Sequence, residues 1–328
     1  MTPGTSAARR ALAALPSLKL WTGPSPVHEL ARLRHHIGGG PRLLIKRDDL
    51  IGFGFGGNKV RKMALVAARA LEERADTLIT TGGLQSNHAR TTAVVAATLG
   101  LECHLVLSGD PPPSATGNLR LAELSGAHVH YVAGRTDRAP AVGALAQRLA
   151  DEGRRPFVIP LGASTPLGAL GYAQAFEELL TQIDPPDVIV HSTSSAGTQA
   201  GLLAGCEMVG AATKIIGVSA DDPADVIARR VAALLQDMDG VLGLAGDSAA
   251  PADAIHVDDR FVGSGYAVPT DASTEATHLA ARCEGVFLDP TYTAKAMAAL
   301  LALVRTGTWE ASRTVLFWHT GGLPGLLA

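Results

Sequence analysis

The chain has 328 residues, of which 47% are hydrophobic and 18% are charged, enough apolar material for one large core or two medium cores. The formal net charge of -3 and the scattered basic residues leave no cationic stripe that would follow a phosphate backbone, so nucleic acid is not an expected partner. No apolar run is long enough to span a membrane, and the N-terminal apolar stretch is too short for a secretion signal, so we expect a cytoplasmic protein with no membrane partner.

From about residue 42 the chain alternates short β-rich runs with longer helical patterns, which is typical of βαβ units wound around parallel sheets. The predicted strands are residues 43–46, 77–81, 104–107, 129–132, 157–160, 188–191, 215–219 and 315–318. Between them, Ala and Leu recur at helical spacing in residues 58–73, 89–99 and 167–180. The pattern predicts an α/β protein throughout, and no linker or repeat marks a domain boundary.

The three cysteines, Cys103, Cys206 and Cys283, are far apart and include no C-x-x-C pair. An odd number of isolated cysteines is typical of buried, reduced thiols. We therefore expect neither a disulfide framework nor a metal site.

The first chemical motif is a glycine-rich turn between the strand at 43–46 and the helix at 58–73. Gly52, Gly54 and Gly57 match the spacing G-x-G-x-x-G of dinucleotide-binding proteins, but the next strand ends without the acidic residue that would bind a ribose hydroxyl. The favoured alternative is that the glycines let the backbone pass close to a flat cofactor and present Asn58 and Lys59 at a helix N-terminus. The positive end of the helix dipole would lower the pKa of Lys59, as an imine-forming amine requires.

A second strand runs into a helix through Ser86, Asn87 and His88. Ser86 and Asn87 are common helix caps, and a single histidine is most often structural. The alternative is that the backbone amides of this turn bind a substrate carboxylate at the helix N-terminus, while Asn87 donates to a phenolate oxygen of a cofactor ring.

A third loop, residues 193–198, follows the strand at 188–191 and precedes a helical pattern. Consecutive amides on small residues at a helix N-terminus can bind a phosphate group, although an ordinary strand-to-helix turn has the same appearance. The loop lacks the lysine of a Walker motif, which argues against a nucleoside triphosphate. The predicted phosphate ligands are Ser194, Ser195, Ala196, Gly197 and Thr198.

The order of Lys59, the Ser86–Asn87 turn and the late phosphate loop resembles the tryptophan synthase β family of pyridoxal phosphate enzymes. Six further runs are similar to its D-cysteine desulfhydrase and 1-aminocyclopropane-1-carboxylate (ACC) deaminase branch; they are residues 45–49, 56–62, 85–88, 166–172, 288–293 and 319–322. The resemblance implies a two-domain, fold type II enzyme that forms a homodimer. Each domain would be an open, mostly parallel sheet flanked by helices. The larger would comprise residues 1–59 and 169–328, the smaller residues 60–168, with pyridoxal 5'-phosphate between them.

The same resemblance implies roles for individual residues. Lys59 would form the Schiff base, Asn58 and Asn87 would contact the cofactor, and residues 194–198 would bind its phosphate. Ser86, Tyr266 and Tyr292 would be catalytic. The substrate would be bound by Ser86, Asn87, His88, Ser164, Tyr266 and Tyr292.

Two threonines separate the members of this branch. Thr293 and Thr320, both predicted to contact the cofactor, stand where ACC deaminases resemble one another in having Glu and Leu, and the Glu position is the one near the pyridine nitrogen. A hydroxyl there keeps the ring less protonated than a carboxylate would, and the weaker electron sink suits loss of a thiolate better than opening of a cyclopropane.

The resemblance therefore implies β-elimination from a β-substituted alanine, with D-cysteine giving pyruvate, ammonia and hydrogen sulfide, and with Lys59 as the base. Unusual residues at 83–84 and 162–166 flank the substrate space, so 3-chloro-D-alanine, cysteate and ACC stay open as substrates. The alternative to an enzyme is a non-catalytic protein of the same fold that binds a small molecule. The presence of Lys59, Ser86 and both tyrosines argues against it.

Overall fold

The computed structural model describes residues 3–244 and 254–328, and its strands follow the predicted alternation with helices. The strands are, in chain order, β1 (Val27–Glu29), β2 (Arg42–Arg47), β3 (Thr77–Gly83), β4 (Glu102–Ser108), β5 (His128–Val132), β6 (Pro156–Val158), β7 (Val188–Thr193), β8 (Lys214–Ser219), β9 (His256–Asp258) and β10 (Thr314–His319). All eight predicted strands are confirmed. The short strands β1 and β9 were missed because three half-exposed residues show no hydrophobic period.

Helices separate most of these strands. They are α1 (Pro3–Ala14), α2 (Ala31–His36), α3 (Asn58–Glu72), α4 (Asn87–Leu99), α5 (Gly117–Leu124), α6 (Arg138–Asp151), α7 (Pro166–Leu180), α8 (Gly197–Val209), α9 (Ala224–Leu242), α10 (Asp271–Glu284) and α11 (Thr293–Arg305). Within the described ranges, no helix is long and apolar enough to cross a membrane. Cys103, Cys206 and Cys283 are buried and free, as predicted.

The strands form two sheets. One has the order β1-β2-β10-β7-β8-β9, and only the β1–β2 pairing is antiparallel. The other has the order β5-β4-β3-β6 and is parallel throughout. Each sheet is covered by helices on its faces, which confirms the predicted α/β class.

Close helix packing joins the long helices behind the six-stranded sheet. Helices α7 and α8 approach each other at glycines of α8: a Cβ atom on Gly205 would lie 2.7 Å from Cβ of Phe176, and one on Gly201 would lie 2.5 Å from Cβ of Tyr172. Any larger residue would push the two helices apart. This contact holds the N-terminus of α8 in a fixed place beside α7 and α3.

The carboxyl ends of strands from both sheets carry the predicted motifs. The turns after β2, β3, β7 and β10 all leave the carboxyl ends of their strands, where ligands of open α/β sheets bind. The pocket described below lies at these ends.

Candidate active site

A pocket at the carboxyl ends of the strands brings together most of the residues predicted from the sequence. Those that line it are Asn58, Lys59, Ser86, Asn87, His88, Ser194, Ser195, Ala196, Thr198, Tyr266, Tyr292 and Thr320. Ser164, Gly197 and Thr293 do not line it. The pocket also contains residues that the sequence analysis did not single out, namely Arg135, Arg138, Ser192 and Asp221.

Lys59 is the second residue of α3, and its position depends on the glycine before the helix. Gly57 has a φ of 96°, and a Cβ atom there would lie 3.0 Å from the carbonyl oxygen of Thr320. Only glycine therefore lets the chain pass the end of β10. Burial lowers the pKa of Lys59 from 10.5 to about 8. The helix dipole was the expected cause of such a lowering, whereas in the structure the cause is desolvation of the buried amine.

The N-terminus of α3 is held by a buried carboxylate. Asp48 accepts hydrogen bonds from Arg61 Nη2 at 2.8 Å, from Trp318 Nε1 at 2.8 Å and from the hydroxyls of Tyr172 and Ser25. Although burial acts to raise the pKa of Asp48, Arg61 and the other donors outweigh it and hold the pKa below its usual value. Because Arg61 is two residues after Lys59, this network fixes where the helix begins.

Asn87 has a defined amide orientation. Its Oδ1 atom accepts a hydrogen bond from Asn118 Nδ2 at 3.0 Å, and Asn118 Oδ1 in turn accepts from Arg90 Nε at 3.1 Å. Arg90 also donates to the carbonyls of Gly54 and Gly56 in the glycine-rich turn. The Nδ2 group of Asn87 is therefore the part of the amide that remains available to donate into the pocket.

The loop before α8 has the geometry of an anion site. Ala196 has a φ of 67°, an unusual conformation for a residue with a side chain, and it precedes the first amides of the helix. Thr198 Oγ1 accepts from Asn58 Nδ2 at 3.0 Å, which ties the loop to the start of α3. Gly197 does not line the pocket. It packs against Lys62, and a Cβ atom at this position would lie 2.7 Å from Lys62 Nζ.

Lys62 is a residue that the sequence analysis missed. It is fully buried and donates to Ser164 Oγ at 3.1 Å, and within the described ranges no carboxylate pairs with it. Burial, and then the charge of Lys59, hold the pKa of Lys62 well below its ordinary value. An anion bound at the α8 N-terminus would supply the missing negative charge. One feature of the sequence could have identified Lys62: it follows Lys59 by three residues, so both lysines lie on the same face of the helix.

Ser164 links the turn before α7 to Lys62 and to the loop before α8, and its contact with substrate remains a prediction. Its Oγ donates to Ser195 Oγ at 2.8 Å and accepts from Lys62. The two serines join the turn before α7 to the loop before α8.

The Ser86 turn forms another wall of the pocket. Ser86 caps α4, its Oγ accepting from the amide of Ala89 at 3.2 Å, so its hydroxyl hydrogen remains available to a ligand. His88 Nε2 lies 2.7 Å from the hydroxyl of Thr80, which itself donates to the carbonyl of Ile159. His88 is therefore protonated on Nε2, and burial holds its pKa well below the ordinary value.

Tyr266 and Tyr292 face each other across the pocket mouth. Their hydroxyl oxygens are 2.6 Å apart and their rings pack edge to face at 5.8 Å. Tyr266 is 44% exposed, with its hydroxyl turned toward Tyr292. Burial raises the pKa of both hydroxyls, that of Tyr292 well above its ordinary value, so both are protonated at neutral pH.

The two threonines occupy different environments. Thr320 lines the pocket and its hydroxyl lies 2.8 Å from that of Ser192, a second hydroxyl on the same wall. Thr293 is fully buried, and its hydroxyl donates to Asp289 Oδ1 at 2.7 Å. The role of Thr293 at a ring nitrogen remains a prediction.

Away from this pocket, ligand atoms of Glu102, His104 and His128 lie within 4.8 Å of one another on β4 and β5. Glu102 is already bonded to His104 Nε2 at 2.9 Å and forms an ion pair with Arg154. This cluster is satisfied by its own hydrogen bonds.

The residues of the pocket fit pyridoxal phosphate. The α8 N-terminus and Lys62 could hold its phosphate, Asn87 Nδ2 could donate to its phenolic oxygen, and Lys59 could bind its aldehyde. The family model described as pyridoxal-phosphate dependent enzyme matches residues 18–321, and the chain belongs to this family.

Curated relatives and solved structures agree with this assignment. The D-cysteine desulfhydrases of Salmonella typhi and Salmonella newport (strain SL254) are each 40% identical over 325 residues, covering 97% of this chain and 97% of the relative. An ACC deaminase homologue superposes with a TM-score of 0.89 at 32% identity, covering all of this chain and 97% of the other. A threonine deaminase from T.th., at 23% identity and a TM-score of 0.65 over 97% and 96% of the two chains, shares the fold. The predicted two-sheet, fold type II architecture and the cofactor are confirmed.

Proposed function

We propose that this protein is a pyridoxal phosphate-dependent lyase that performs β-elimination on a β-substituted alanine, with D-cysteine as substrate. D-cysteine and water would give pyruvate, ammonia and hydrogen sulfide. The observation that carries the proposal is Lys59, an amine with a pKa of about 8 that lies in one pocket with the phosphate loop and the donor of Asn87. The 40% identity to D-cysteine desulfhydrases over 97% of the chain supports the substrate.

Side chains on several walls would hold the cofactor. Lys59 would bind it covalently, Lys62 and residues 194–198 would bind its phosphate, and Asn58 would brace the phosphate loop through Thr198. Thr320 and Ser192 offer hydroxyls at the wall beside β10. When bound, the cofactor supplies an electron sink that stabilises negative charge on the substrate α-carbon.

The remaining residues would handle the substrate. Ser86 and the amides of its turn would bind the carboxylate, since a helix N-terminus favours anions. Lys59 would take the α-proton, because its lowered pKa leaves part of the amine neutral at physiological pH. Tyr266 and Tyr292, both protonated, would donate a proton to the departing β-substituent.

ACC deamination is the second candidate function, favoured by the TM-score of 0.89 to an ACC deaminase homologue. It is disfavoured by Thr293, whose hydroxyl is a weaker partner for a ring nitrogen than the carboxylate of ACC deaminases, and by Thr320 in place of their Leu. A Thr293→Glu, Thr320→Leu double variant would shift activity toward ACC if these positions set the choice.

We also propose that residues 1–59 with 169–328 form the larger domain and residues 60–168 the smaller, in a cytoplasmic homodimer. Strands β3 to β6 all fall between residues 60 and 168, which supports the division. Light scattering of the purified protein tests the dimer, and limited proteolysis tests the boundaries.

The activity is tested by assaying ketoacid from D-cysteine, L-cysteine, 3-chloro-D-alanine, cysteate and ACC. We expect the largest kcat/KM with D-cysteine, and visible absorbance from the bound cofactor. Lys59→Ala should abolish both, whereas the exposed control Lys214→Ala should change neither. A Lys59→Ala variant that kept its activity, or a protein that bound no cofactor, would refute the proposal.

A further inference from the structure

Lys295 is a buried lysine that has no place in the reaction described above. It is the third residue of α11, three positions after Tyr292, and its side chain is fully buried. Within the described ranges, no carboxylate lies at ion-pair distance from its Nζ atom. A buried ammonium group is unfavourable unless hydrogen bonds satisfy its three N–H donors, so the partners of Lys295 indicate what it does.

The hydrogen-bond partners of Lys295 are backbone carbonyl oxygens. Its Nζ atom donates to Val262 at 2.7 Å, to Gly265 at 2.8 Å and, more weakly, to Ala220 at 3.4 Å. Gly265 immediately precedes Tyr266, whereas Ala220 directly follows β8. One side chain therefore joins α11 and the end of β8 to the part of the chain that carries Tyr266.

Residues 259–270, which we call the tyrosine segment, connect β9 to α10 and have little support of their own. The segment contains no helix or strand, and its internal backbone hydrogen bonds are long, at 3.3 and 3.4 Å. Ala267 has a φ of 61°, a conformation that a residue with a side chain rarely adopts. The shorter hydrogen bonds from Lys295 are therefore the stronger constraint on the chain just before Tyr266.

The start of α11 is held by different contacts. The carboxylate of Asp289 accepts hydrogen bonds from the amides of Thr291 at 3.1 Å, Tyr292 at 3.0 Å and Thr293 at 2.9 Å. Tyr292 thus keeps its place without the side chain of Lys295. The donors of Lys295 serve the tyrosine segment and the neighbouring end of β8.

Two carboxylates act on Lys295 from a greater distance. Burial lowers the pKa of Lys295, whereas the negative charges of Asp221 and Asp289 act to raise it. The same two carboxylates act to raise the pKa of Tyr266 and of Tyr292. A cation at Lys295 therefore partly balances the negative charge beside the tyrosine pair, in addition to binding the backbone.

We propose that Lys295 is a positioning residue that holds Tyr266 against Tyr292 by binding the backbone carbonyls of the tyrosine segment. This role rests on the proposed β-elimination, in which the tyrosine hydroxyls donate a proton to the departing β-substituent. Lys295 does not line the pocket, so it acts on the reaction through Tyr266. The two hydroxyl oxygens are 2.6 Å apart, and a displacement of about 1 Å in an active site can lower a rate by about 100-fold.

The carbonyl oxygens around Lys295 also suggest a rescue experiment. Backbone carbonyls can replace the hydration shell of a K⁺ ion. In Lys295→Ala the shortened side chain would leave the three oxygens facing a space for K⁺ or NH₄⁺. Rescue by these small cations, but not by the large cation N-methylglucamine at the same ionic strength, would be specific to the loss of the ammonium group.

The first measurement requires no turnover. Hydrogen–deuterium exchange of the tyrosine segment is followed by mass spectrometry on the purified protein for the wild type, Lys295→Ala and Arg305→Ala. Arg305 is the matched control, because it lies on the same helix in an exposed ion pair with Glu275. Lys295→Ala should exchange about tenfold faster in the tyrosine segment, the effect of losing one or two hydrogen bonds. Arg305→Ala should match the wild type, and K⁺ or NH₄⁺ should slow the exchange of Lys295→Ala.

The second measurement shows whether the effect passes through Tyr266. Ketoacid formation from D-cysteine gives kcat and KM of the holoenzyme for Lys295→Ala, Tyr266→Phe and the double variant. Lys295→Ala should lower kcat by about 10- to 100-fold without changing the visible absorbance of the bound cofactor. The double variant should be no more than about threefold slower than Tyr266→Phe, because the position of an absent hydroxyl no longer matters.

The outcomes separate this inference from the proposed function. A wild type that makes no ketoacid from any β-substituted alanine refutes the proposed function, and the exchange data then decide alone whether Lys295 orders the segment. With an active wild type, unchanged exchange in Lys295→Ala, or a double variant in which the two losses multiply in full, overturns the role of Lys295. If Lys295→Ala does not fold, Lys295→Gln keeps amide donors on a shorter side chain and should show a smaller effect in the same direction; no effect in that variant would also overturn the role.

Discussion

The lowered pKa of Lys59 predicts how fast the protein without cofactor recovers it at different pH values. Only the neutral amine attacks an aldehyde, so the rate should follow the neutral fraction of Lys59. With a pKa of about 8 in place of 10.5, that fraction at pH 7 is larger by about 300-fold. The rate should rise with pH below the pKa and level off above about 8.

The assay begins with apoenzyme prepared by treatment with a carbonyl reagent. Pyridoxal phosphate is added in a rapid-mixing instrument, and the visible absorbance of the bound cofactor is followed across the pH range. Pyridoxal phosphate with a free lysine analogue in the same buffers corrects for titration of the cofactor itself.

A matched variant separates the possible causes of the shift. Desolvation is the cause of the lowered Lys59 pKa, so Lys62→Met should weaken phosphate binding but leave the inflection near 8. An inflection at the ordinary lysine pKa in the wild type would refute the reasoning. A large upward movement in Lys62→Met would show that repulsion between the two lysines, rather than burial, lowers the Lys59 pKa.

Buried polar groups near the site lead to three more expected outcomes. Asp48→Asn should lower the free energy of unfolding by about 3 kcal/mol in urea titrations, because Arg61 loses one of its buried partners; a loss under about 1 kcal/mol would contradict this. Burial lowers the pKa of His191 to about 4, so below pH 6.5 the unfolded chain binds a proton that the folded chain does not. The free energy of unfolding should therefore fall by up to about 3 kcal/mol between pH 6.5 and 4, and His191→Gln should flatten that slope. Asn118→Ala should raise the cofactor dissociation constant about 5- to 10-fold in absorbance titrations by freeing the amide of Asn87, and an unchanged constant would show that this orientation is unimportant.

Local sequence was sufficient for the strands and for the motifs at their ends. A strand that runs into a glycine or small-residue turn and then a helix is a short-range pattern, and Lys59, Ser86 and residues 194–198 each lie in one. Lys59 and residues 194–198 follow parallel strands of one sheet, so their proximity was also predictable. Ser86 follows β3 of the other sheet, and its place in the same pocket depends on how the two sheets pack. The short strands β1 and β9 were not predictable, since each has only three residues and no alternation of buried and exposed positions.

Other properties of the site arise only from contacts between distant segments. Three such properties depend on how the two sheets and their helices pack. Lys62 has no carboxylate nearby within the described ranges, Thr293 and Thr320 have different surroundings, and Arg138 lies in the pocket.

The amino-acid sequence by itself determined the fold class, the cofactor, and the order along the chain of the motifs that line the pocket. The tertiary structure alone decided which charges are buried, as with Lys59, and which of those it describes have no carboxylate partner, as with Lys62 and Arg138. Desolvation and pairing are set by every atom around a group, and most of those atoms belong to residues far away in the sequence.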